Sequence, residues 1–313
     1  MIRLGLCCIF HEEPIRFRRT TAAALKKLTA KERDEKLSGI CRDNAAALAA
    51  AITYCSKNGI GAFRVNSQIL PLKTHPEAGY ELVDLPGGKE ILARYEACGQ
   101  LREQCGLRLS FHPDQFVVLN SPRPEVVASS VRELVYQAEV AEWIGADVIN
   151  IHGGGGYGDK PSALLRLRDA VQALPVAVNE RLTIENDDRT YTPSELLPVT
   201  NETGVPLVYD VHHHRCLPDG LSEEAATAAA IQTWNREPLF HLSSPRNGRD
   251  EGADPKPHHD LIDPADFPDS WSELDITVEV EAKAKEVAVK RLQEDLTACG
   301  IPCAWQVADS KDR

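Results

Sequence analysis

The chain has 313 residues, of which 42% are hydrophobic and 26% charged, and its formal net charge is −12. These values are typical of a globular protein. No apolar run approaches the roughly 18 residues of a membrane helix, and the N-terminus lacks the apolar core of a signal peptide. We therefore expect no membrane partner and a cytoplasmic location. The nine cysteines form no CxxC pair, which indicates reduced thiols that serve mostly as small apolar residues.

The charge is unevenly distributed along the chain. Residues 1–36 carry nine Lys and Arg against five acids, whereas residues 250–286 carry twelve acids against three lysines. The acidic total argues against a nucleic-acid-binding protein. The asymmetry, however, fits a basic rim beside an acidic, metal-concentrating region, or two solvated faces of opposite charge. Composition alone leaves nucleic acid open as a partner.

Segments with strand and helix patterns alternate along the chain. Strands are predicted at 2–7, 62–66, 107–111, 147–151, 182–184, 205–211, 239–242 and 276–280. Helices are predicted at 38–58, 88–105, 124–144, 161–173, 193–202, 222–235 and 282–298. The segment at about 8–37 is predicted to be a long basic loop with a short helix, and residues 244–273 a long polar insert.

Eight strands that alternate with helices favour a parallel α/β protein, and their number fits a TIM (β/α)8 barrel best. A doubly wound sheet would more typically carry a Gly-rich phosphate turn after its first strand, and Gly5-Leu6-Cys7-Cys8 offers none. The glycines at 153–156 follow the fourth strand but lack the spaced dinucleotide pattern. We therefore predict one TIM-barrel domain over residues 1–313.

Ionisable residues stand at the carboxyl ends of the predicted strands, which is where barrel enzymes place their active sites. Leu207-Val208-Tyr209, for example, leads directly into Asp210 and three histidines, and a buried strand should not end in unpaired ionisable groups. The candidates are His112, His152, Glu185, Asp210, His212, His213, His214, His241, Glu279 or Glu281, and, from the insert, His258 and His259. Such a number of ionisable side chains at the carboxyl edge of the predicted barrel indicates a metal site rather than isolated core histidines or a solvated loop.

Imidazoles and carboxylates suit zinc, manganese, iron or cobalt, and only Cys7 and Cys8 place thiols at a strand end. About eight candidate ligands exceed the four that one ion typically takes, so two or three ions that share a bridging carboxylate fit better. Clusters of this kind suit phosphoester hydrolysis, because the ions generate hydroxide and neutralise charge on the attacked phosphate.

Seven segments carry a resemblance to a known family. They are Arg3-Leu4-Gly5, Phe63-Arg64-Val65-Asn66, Phe111-His112-Pro113-Asp114-Gln115-Phe116, Asn150-Ile151-His152-Gly153-Gly154, Ile184-Glu185-Asn186-Asp187, Tyr209-Asp210-Val211-His212-His213 and Val280-Glu281-Ala282-Lys283-Ala284-Lys285-Glu286. In this order they resemble the UV damage endonucleases. The resemblance implies a TIM-barrel repair enzyme, similar in fold to endonuclease IV, that nicks double-stranded DNA 5′ to UV photoproducts. We also expect a monomer.

The resemblance implies up to three divalent ions, usually Mn²⁺, with Zn²⁺, Co²⁺ or Mg²⁺ as alternatives. The implied ligands are His112, His152, Glu185, Asp210, His213, His241, His258 and Glu281, of which Glu185, His241 and Glu281 are implied to be catalytic. Alternation along an extended strand would instead place Asp210, His212 and His214 on one face. The use of His213 therefore requires the chain to leave strand geometry after Val211.

Two ligand assignments stay open on the residues alone. Alternation places Glu279 and Glu281 on the same face, so the choice of Glu281 depends on the motif. Nothing in the pattern separates His258 from His259. If Glu279 rather than Glu281 were the ligand, the assignment would shift by two residues, and if His259 replaced His258 it would shift by one.

Gln115 and Phe116 match the pair with which the family probes damaged DNA. An amide and an aromatic ring can fill the gap left when damaged bases leave the stack. Alternatively, Phe116 only opens the apolar run Phe116-Val117-Val118-Leu119. The other predicted DNA contacts are Arg16, Arg18 and Arg19, which either grip phosphates or form a solvated face, and Asn66 in a rim loop.

The chain departs from the family at three positions. Phe116 stands where relatives often have Tyr, and Leu6 where many have Tyr in the loop after the first strand. Leu239 stands two residues before His241, where relatives can carry a modified lysine. A carboxylated lysine is therefore not available at that place.

A sugar isomerase of the xylose isomerase type is the main alternative, because it is built on a similar metal-binding barrel. It would use fewer ions and a small closed pocket. It would need neither Gln115 and Phe116 nor a basic rim. Lesion-dependent nicking of DNA separates the two classes.

Overall fold

Eight parallel strands form one sheet in the computed structural model of the protein, which describes residues 1–249 and 252–303. The strands are β1 (Ile2–Cys7), β2 (Ala62–Val65), β3 (Arg108–Phe111), β4 (Val148–His152), β5 (Leu182–Glu185), β6 (Leu207–Val208), β7 (Leu239–Leu242) and β8 (Ile276–Val280). Their order is β6-β5-β4-β3-β2-β1-β8-β7, and a parallel bridge between Asp210 and His241 joins the two edges. This nearly closed barrel confirms the predicted TIM-barrel fold.

Helices surround the barrel and cover its strands, whose residues are almost all buried. The helices are α1 (Ala22–Leu25), α2 (Ala30–Lys57), α3 (Gly88–Gln104), α4 (Pro124–Ile144), α5 (Lys160–Gln172), α6 (Val176–Asn179), α7 (Pro193–Thr203), α8 (Val211–Cys216), α9 (Glu223–Gln232) and α10 (Glu286–Ala298). In α4, Pro124 occupies the first turn and Gly145 ends the helix with φ +71, as expected from the positional preferences of the two residues.

Helix α2 begins at Ala30. The predicted helix start at residue 38 is therefore wrong, and so is the predicted end of the preceding loop at residue 37. Thr29 accepts a hydrogen bond from the backbone N–H of Glu32, and the Glu32 side chain accepts one from the backbone N–H of Thr29. This capping box starts the helix within the charged segment. The predicted short helix in the loop is α1.

Strand β6 is shorter than the predicted 205–211. The Asp210 side chain accepts a hydrogen bond from the backbone N–H of His213 at 2.7 Å and thereby caps helix α8. The chain leaves strand geometry at Asp210 rather than after Val211. Because of this turn, Asp210 and His213 lie near each other.

Helix α10 begins at Glu286 rather than at the predicted 282. The backbone of Lys285 has φ +51 and ψ −119, and a residue in that conformation cannot continue an α-helix. Residues 281–285 therefore form a turn between β8 and α10.

The insert at 244–273 contains two 3-10 turns, Pro264–Asp266 and Asp269–Trp271, and an antiparallel bridge between Pro245 and His258. Its residues 250–251 lie outside the described residues, as do residues 304–313 of the predicted domain. Within residues 1–249 and 252–303, no helix is both long enough and apolar enough to cross a membrane.

Candidate metal centre and its rim

Glu185 lies at the middle of a buried cluster at the carboxyl end of the barrel. Its Oε2 atom lies 3.0 Å from His112 Nε2 and accepts a hydrogen bond from Asn150 Nδ2 at 2.5 Å. Its Oε1 atom lies 3.2 Å from His213 Nδ1 and 3.1 Å from His241 Nδ1. Since Glu185 is only 1% exposed, its negative charge requires cationic or hydrogen-bonding partners.

Seven of the eight predicted ligands fall into three overlapping groups, and within each group the possible ligand atoms lie within 4.8 Å of one another. The groups are His112, His152 and Glu185; Glu185, Asp210 and His213; and Asp210, His241 and Glu281. Glu185 belongs to the first two groups and Asp210 to the last two. Two adjacent ions can share a carboxylate placed in this way.

Several buried ligand atoms of the cluster make no hydrogen bond to any residue that the structure describes. They are His152 Nδ1, Glu185 Oε1, Asp210 Oδ2 and His241 Nδ1. Glu185 Oε1 and His241 Nδ1 are 3.1 Å apart but are not aligned as donor and acceptor. An unpaired buried polar atom costs roughly 1–3 kcal/mol, so four together indicate that a common partner belongs between them. The residues present therefore fit divalent cations.

Without a bound ion, the carboxylates of the cluster raise the pKa of His213 and His241 against the effect of burial, whereas burial prevails at His152 and lowers its pKa. Burial opposes a positive charge on His241, but Glu185 and, to a smaller extent, Glu281 outweigh it and raise the pKa of His241 to about 10. Burial would raise the pKa of Glu185, yet His241 and His152 hold it well below its usual range. The site thus favours positive charge, and protons and metal ions compete for it, so metal affinity should fall as the pH is lowered.

Arg64 is a candidate functional residue that the sequence analysis did not identify. It belongs to one of the family segments, Phe63-Arg64-Val65-Asn66, but no role was predicted for it. It lies in β2 with its side chain 8% exposed. Its Nε donates to Glu279 Oε2 at 2.5 Å, and its Nη1 donates to Glu281 Oε1 at 2.6 Å. Its Nη2 lies 2.8 Å from His241 Nε2. Arg64 therefore positions a glutamate and a histidine of the cluster. The sequence feature that could have indicated this role is a basic residue within a predicted buried strand.

Glu279 and Glu281 occupy different environments. Glu279 lies within β8, bonded to Arg64 and Ser110. Glu281 follows β8 and lies in the ligand group that contains Asp210. This placement favours Glu281 as the ligand.

His258 and His259 are also separated. His258 Nδ1 lies 3.7 Å from Glu281 Oε2, although His258 is outside the three ligand groups. The exposed His259 accepts a hydrogen bond from the backbone N–H of Leu261 at 3.0 Å. The placement favours His258, and its role as a ligand stays a prediction.

His214 is buried outside the three ligand groups. Its Nδ1 lies 2.8 Å from the hydroxyl of Tyr209, and its Nε2 lies 3.0 Å from Asp219 Oδ1. Asp219 also accepts hydrogen bonds from the backbone N–H groups of Ser194 and Leu221 at 2.8 and 2.9 Å. These contacts give His214 a structural role.

We expect Asp219→Asn to lower the free energy of unfolding by about 1–3 kcal/mol at pH 7, because hydrogen bonds to a charged acceptor are lost. Burial would raise the pKa of Asp219, but the backbone N–H groups of Leu221 and Ser194, together with His214, hold it well below its usual range. A depressed carboxyl pKa stabilises the fold above the unfolded pKa of about 3.9, and this contribution is lost as the pH falls. Urea unfolding at pH 7 and pH 3 checks this: a deficit that does not shrink at pH 3 would contradict it.

Gln115 and Phe116 lie in the exposed loop that follows β3. The Phe116 side chain projects from this loop and is 76% exposed, so it is not a core residue that merely opens an apolar run. At the other two departures from the family, Leu6 and Leu239 are 0% and 1% exposed and pack in the interior. Neither can contact DNA.

The residues predicted to contact DNA differ in whether their side chains already bind other groups of the protein. Arg16 donates to backbone carbonyls of its own loop, and Arg18 forms an ion pair with Asp43. Arg19 and Asn66, in contrast, line a cavity beside the candidate metal centre. The structure thus brings Arg19 and Asn66 to the site, while Arg16 and Arg18 lie on the exposed loop around it.

A parallel barrel with a buried, multiply shared cluster of histidines and carboxylates at its carboxyl edge defines a TIM-barrel enzyme with a candidate multinuclear metal centre. The sequence profile of the family described as UV-endonuclease UvdE matches residues 2–303. The chain belongs to this family and is an enzyme of the UV DNA damage endonuclease type.

Individual proteins agree with this assignment. The UV DNA damage endonuclease of Bacillus velezensis is 36% identical over 307 residues, which cover 93% of this chain and 91% of that protein. The crystal structure of SacUVDE aligns with a TM-score of 0.85 and 26% identity over 96% of this chain and 100% of that one. Endonuclease IV from Thermus thermophilus shares the fold, with a TM-score of 0.61 and 18% identity over 95% and 98% of the two chains. The family match favours the endonuclease over the sugar isomerase.

Proposed function

We propose that the protein nicks double-stranded DNA on the 5′ side of cyclobutane pyrimidine dimers and 6-4 photoproducts, and that the reaction depends on two or three divalent ions. The observation that carries the proposal is the pair of buried carboxylates, Glu185 and Asp210, each shared between neighbouring groups of ligand atoms. Adjacent ions suit displacement at phosphorus, where the attacking and the leaving oxygen both need stabilisation. Membership of the UV-endonuclease family supports the choice of lesion.

The donor set suits Mn²⁺, Zn²⁺ or Co²⁺, with Mg²⁺ as a further alternative, because the three groups contain only imidazoles and carboxylates. The family resemblance makes Mn²⁺ the first choice. Such ions, when bound, supply a Lewis acid and a nucleophile that forms at neutral pH. Three residues would hold them next to the scissile phosphate: Glu185, His241 and Glu281. The His241 ring presents Nδ1 to Glu185, while its Nε2 lies 3.1 Å from Glu279, and a carboxylate at that distance fixes the orientation of a ligating imidazole.

Gln115 and Phe116 are proposed to enter the duplex at the lesion. Both project from one exposed loop directly after His112, so a base pair opened by damage would lie beside the cluster. An aromatic side chain gains roughly 1–3 kcal/mol per stacked base. Opening the stack costs least where it is already damaged. Selectivity for lesions follows from this difference.

The proposal is tested with supercoiled plasmid, irradiated or not, which is incubated with the protein as purified, after chelation, and after Mn²⁺ is restored. We expect nicking of irradiated plasmid only, loss of nicking on chelation, and recovery with Mn²⁺. A duplex with one defined photoproduct then maps the nick to its 5′ side. Equal nicking of both plasmids would contradict the lesion preference, and nicking that survives chelation would contradict the metal dependence.

Gln115→Ala should reduce the preference for irradiated over unirradiated plasmid by about tenfold, because the side chain that fills the gap is removed; about 1.4 kcal/mol corresponds to that factor. Bound metal, measured by mass spectrometry, should not change. Gln104→Ala, in an exposed position at the end of α3, is the matched control. A drop in metal content that parallels the drop in activity would show that Gln115 acts on the cluster instead.

A further inference from the structure

A cavity of about 580 Å³ lies beside the candidate metal centre, between the loops that follow β1, β2, β7 and β8. Glu281 and His258 form part of its wall, so the cavity and the cluster adjoin. Cationic side chains dominate the rest of the lining. They are Arg19, Arg64, Lys256, Lys283 and Lys285. In a chain with a net charge of −12, this concentration of positive charge points to an anionic ligand.

Three of these cations are available to a ligand. Within the described residues, the side chains of Arg19, Lys283 and Lys285 make no ion pair and no hydrogen bond. Arg64, in contrast, donates hydrogen bonds to Glu279 and Glu281, and Lys256 donates to a backbone carbonyl oxygen at 2.7 Å. Cations that the fold leaves unpaired can neutralise a bound anion without first breaking a protein contact.

The fold holds these three cations in place from two sides. Lys285 has a strained backbone conformation with a positive φ of +51, and residues with such strain cluster at binding sites. The next residue, Glu286, accepts hydrogen bonds from the backbone N–H groups of His11, Glu12 and Glu13 at 2.7, 2.7 and 3.0 Å. These bonds tie the loop that carries Arg19 to the turn that carries both lysines. The cavity wall is therefore organised before any ligand binds.

We propose that this cavity binds a backbone phosphate of the cut DNA strand, with Arg19, Lys283 and Lys285 as the recognising cations; the inference rests on the proposed function. The described residues that line the cavity include no Phe, Tyr or Trp, the aromatic side chains on which bases commonly stack, and its unpaired cations favour a phosphate instead. Because Glu281 and His258 belong to the wall of the cavity, this phosphate would lie close to the scissile bond.

The first test is binding of a fluorescent duplex in EDTA, where no cutting occurs, over a series of salt concentrations. Lys283→Gln/Lys285→Gln should weaken binding about tenfold, and the slope of log K against log salt should become shallower by about 0.9, the value for one phosphate. Lys57→Gln/Arg132→Gln removes the same charge from exposed positions on α2 and α4 and should leave the slope unchanged. Equal slopes in both double variants would overturn the proposal.

The second test neutralises single phosphates with methylphosphonates, one position at a time around a photoproduct. We expect one position near the cut at which the parent protein loses about tenfold in affinity and the lysine double variant less than twofold. Identical responses of the two proteins at every position would overturn the phosphate site. Arg19→Gln, in an exposed loop, gives the same readout if thermal unfolding shows that the double variant is unstable. A parent protein without lesion-dependent nicking would contradict the proposed function, whereas the salt dependence of duplex binding, which needs no lesion, would still test the phosphate site.

Discussion

Glu185→Gln is expected to lower the rate of nicking about a thousandfold or more and to reduce the amount of bound metal. Both oxygens of Glu185 face the cluster, and the residue belongs to two ligand groups. An amide offers one acceptor oxygen and a donor N–H, so it cannot serve two cations. Loss of several kcal/mol of electrostatic stabilisation corresponds to this factor, at tenfold for each 1.4 kcal/mol. Plasmid nicking and mass spectrometry of the metal content measure the two effects.

Glu180→Gln is the matched control, because it makes the same substitution at an exposed position just after α6. It should change neither nicking nor metal content. Glu185→Gln protein with full activity and full metal content would remove Glu185 from the cluster. Loss of activity with unchanged metal would instead limit Glu185 to a role in the chemical step.

The barrel could be predicted because its strands and helices follow from local patterns. Each strand is a short apolar run bounded by turn residues, and a parallel sheet buries both faces of such a run. The errors lie where a single residue decides the boundary. Thr29 starts α2 earlier than the apolar pattern indicates, and the backbone of Lys285 delays α10. Boundaries of this kind depend on single hydrogen bonds or dihedral angles that periodicity does not encode.

The candidate site could be predicted in outline because carboxyl ends of parallel strands meet on one edge. Strand alternation alone would have paired Asp210 with His212 and His214. The structure pairs Asp210 with His213, because Asp210 caps α8 and turns the chain. Only the family resemblance pointed to that choice. A local pattern cannot indicate that a carboxylate will serve as a helix cap and as a metal-ligand candidate together.

Side-chain contacts between strands that are far apart in the sequence could not be predicted. Arg64 and Glu279 are 215 residues apart, and no spacing rule relates them. Their pairing follows from the parallel register, in which β1 lies between β2 and β8 and the barrel wall is tightly curved. The basic first loop illustrates the same limit, since Arg18 is engaged by Asp43 while Arg19 faces the cavity. The composition shows that this loop is basic, but it does not indicate which groups the individual arginines contact.

Arg64→Met is expected to lower the free energy of unfolding by about 3–5 kcal/mol, measured by urea denaturation. Arg64 faces the buried Glu279 and the partly buried Glu281, and removal of one partner from a buried ion pair leaves an uncompensated charge. Burial would raise the pKa of Glu279, but Arg64 together with His241 and Ser110 holds that pKa at about 2. In the Arg64→Met protein, Glu279 should therefore take up a proton more readily.

A double-mutant cycle isolates this effect from lost packing. Arg64→Met/Glu279→Gln removes one of the unpaired charges together with the cation, so the double variant should be more stable than the sum of the single effects predicts, by about 1–3 kcal/mol. The exposed pair Arg18 and Asp43 is the control, with side chains 55% and 50% exposed. Its cycle, Arg18→Met/Asp43→Asn, should give a coupling below about 1 kcal/mol. Additive effects at Arg64 and Glu279 would show that Arg64 contributes packing alone, and the glutamates of the cluster would then have to be balanced by bound cations instead.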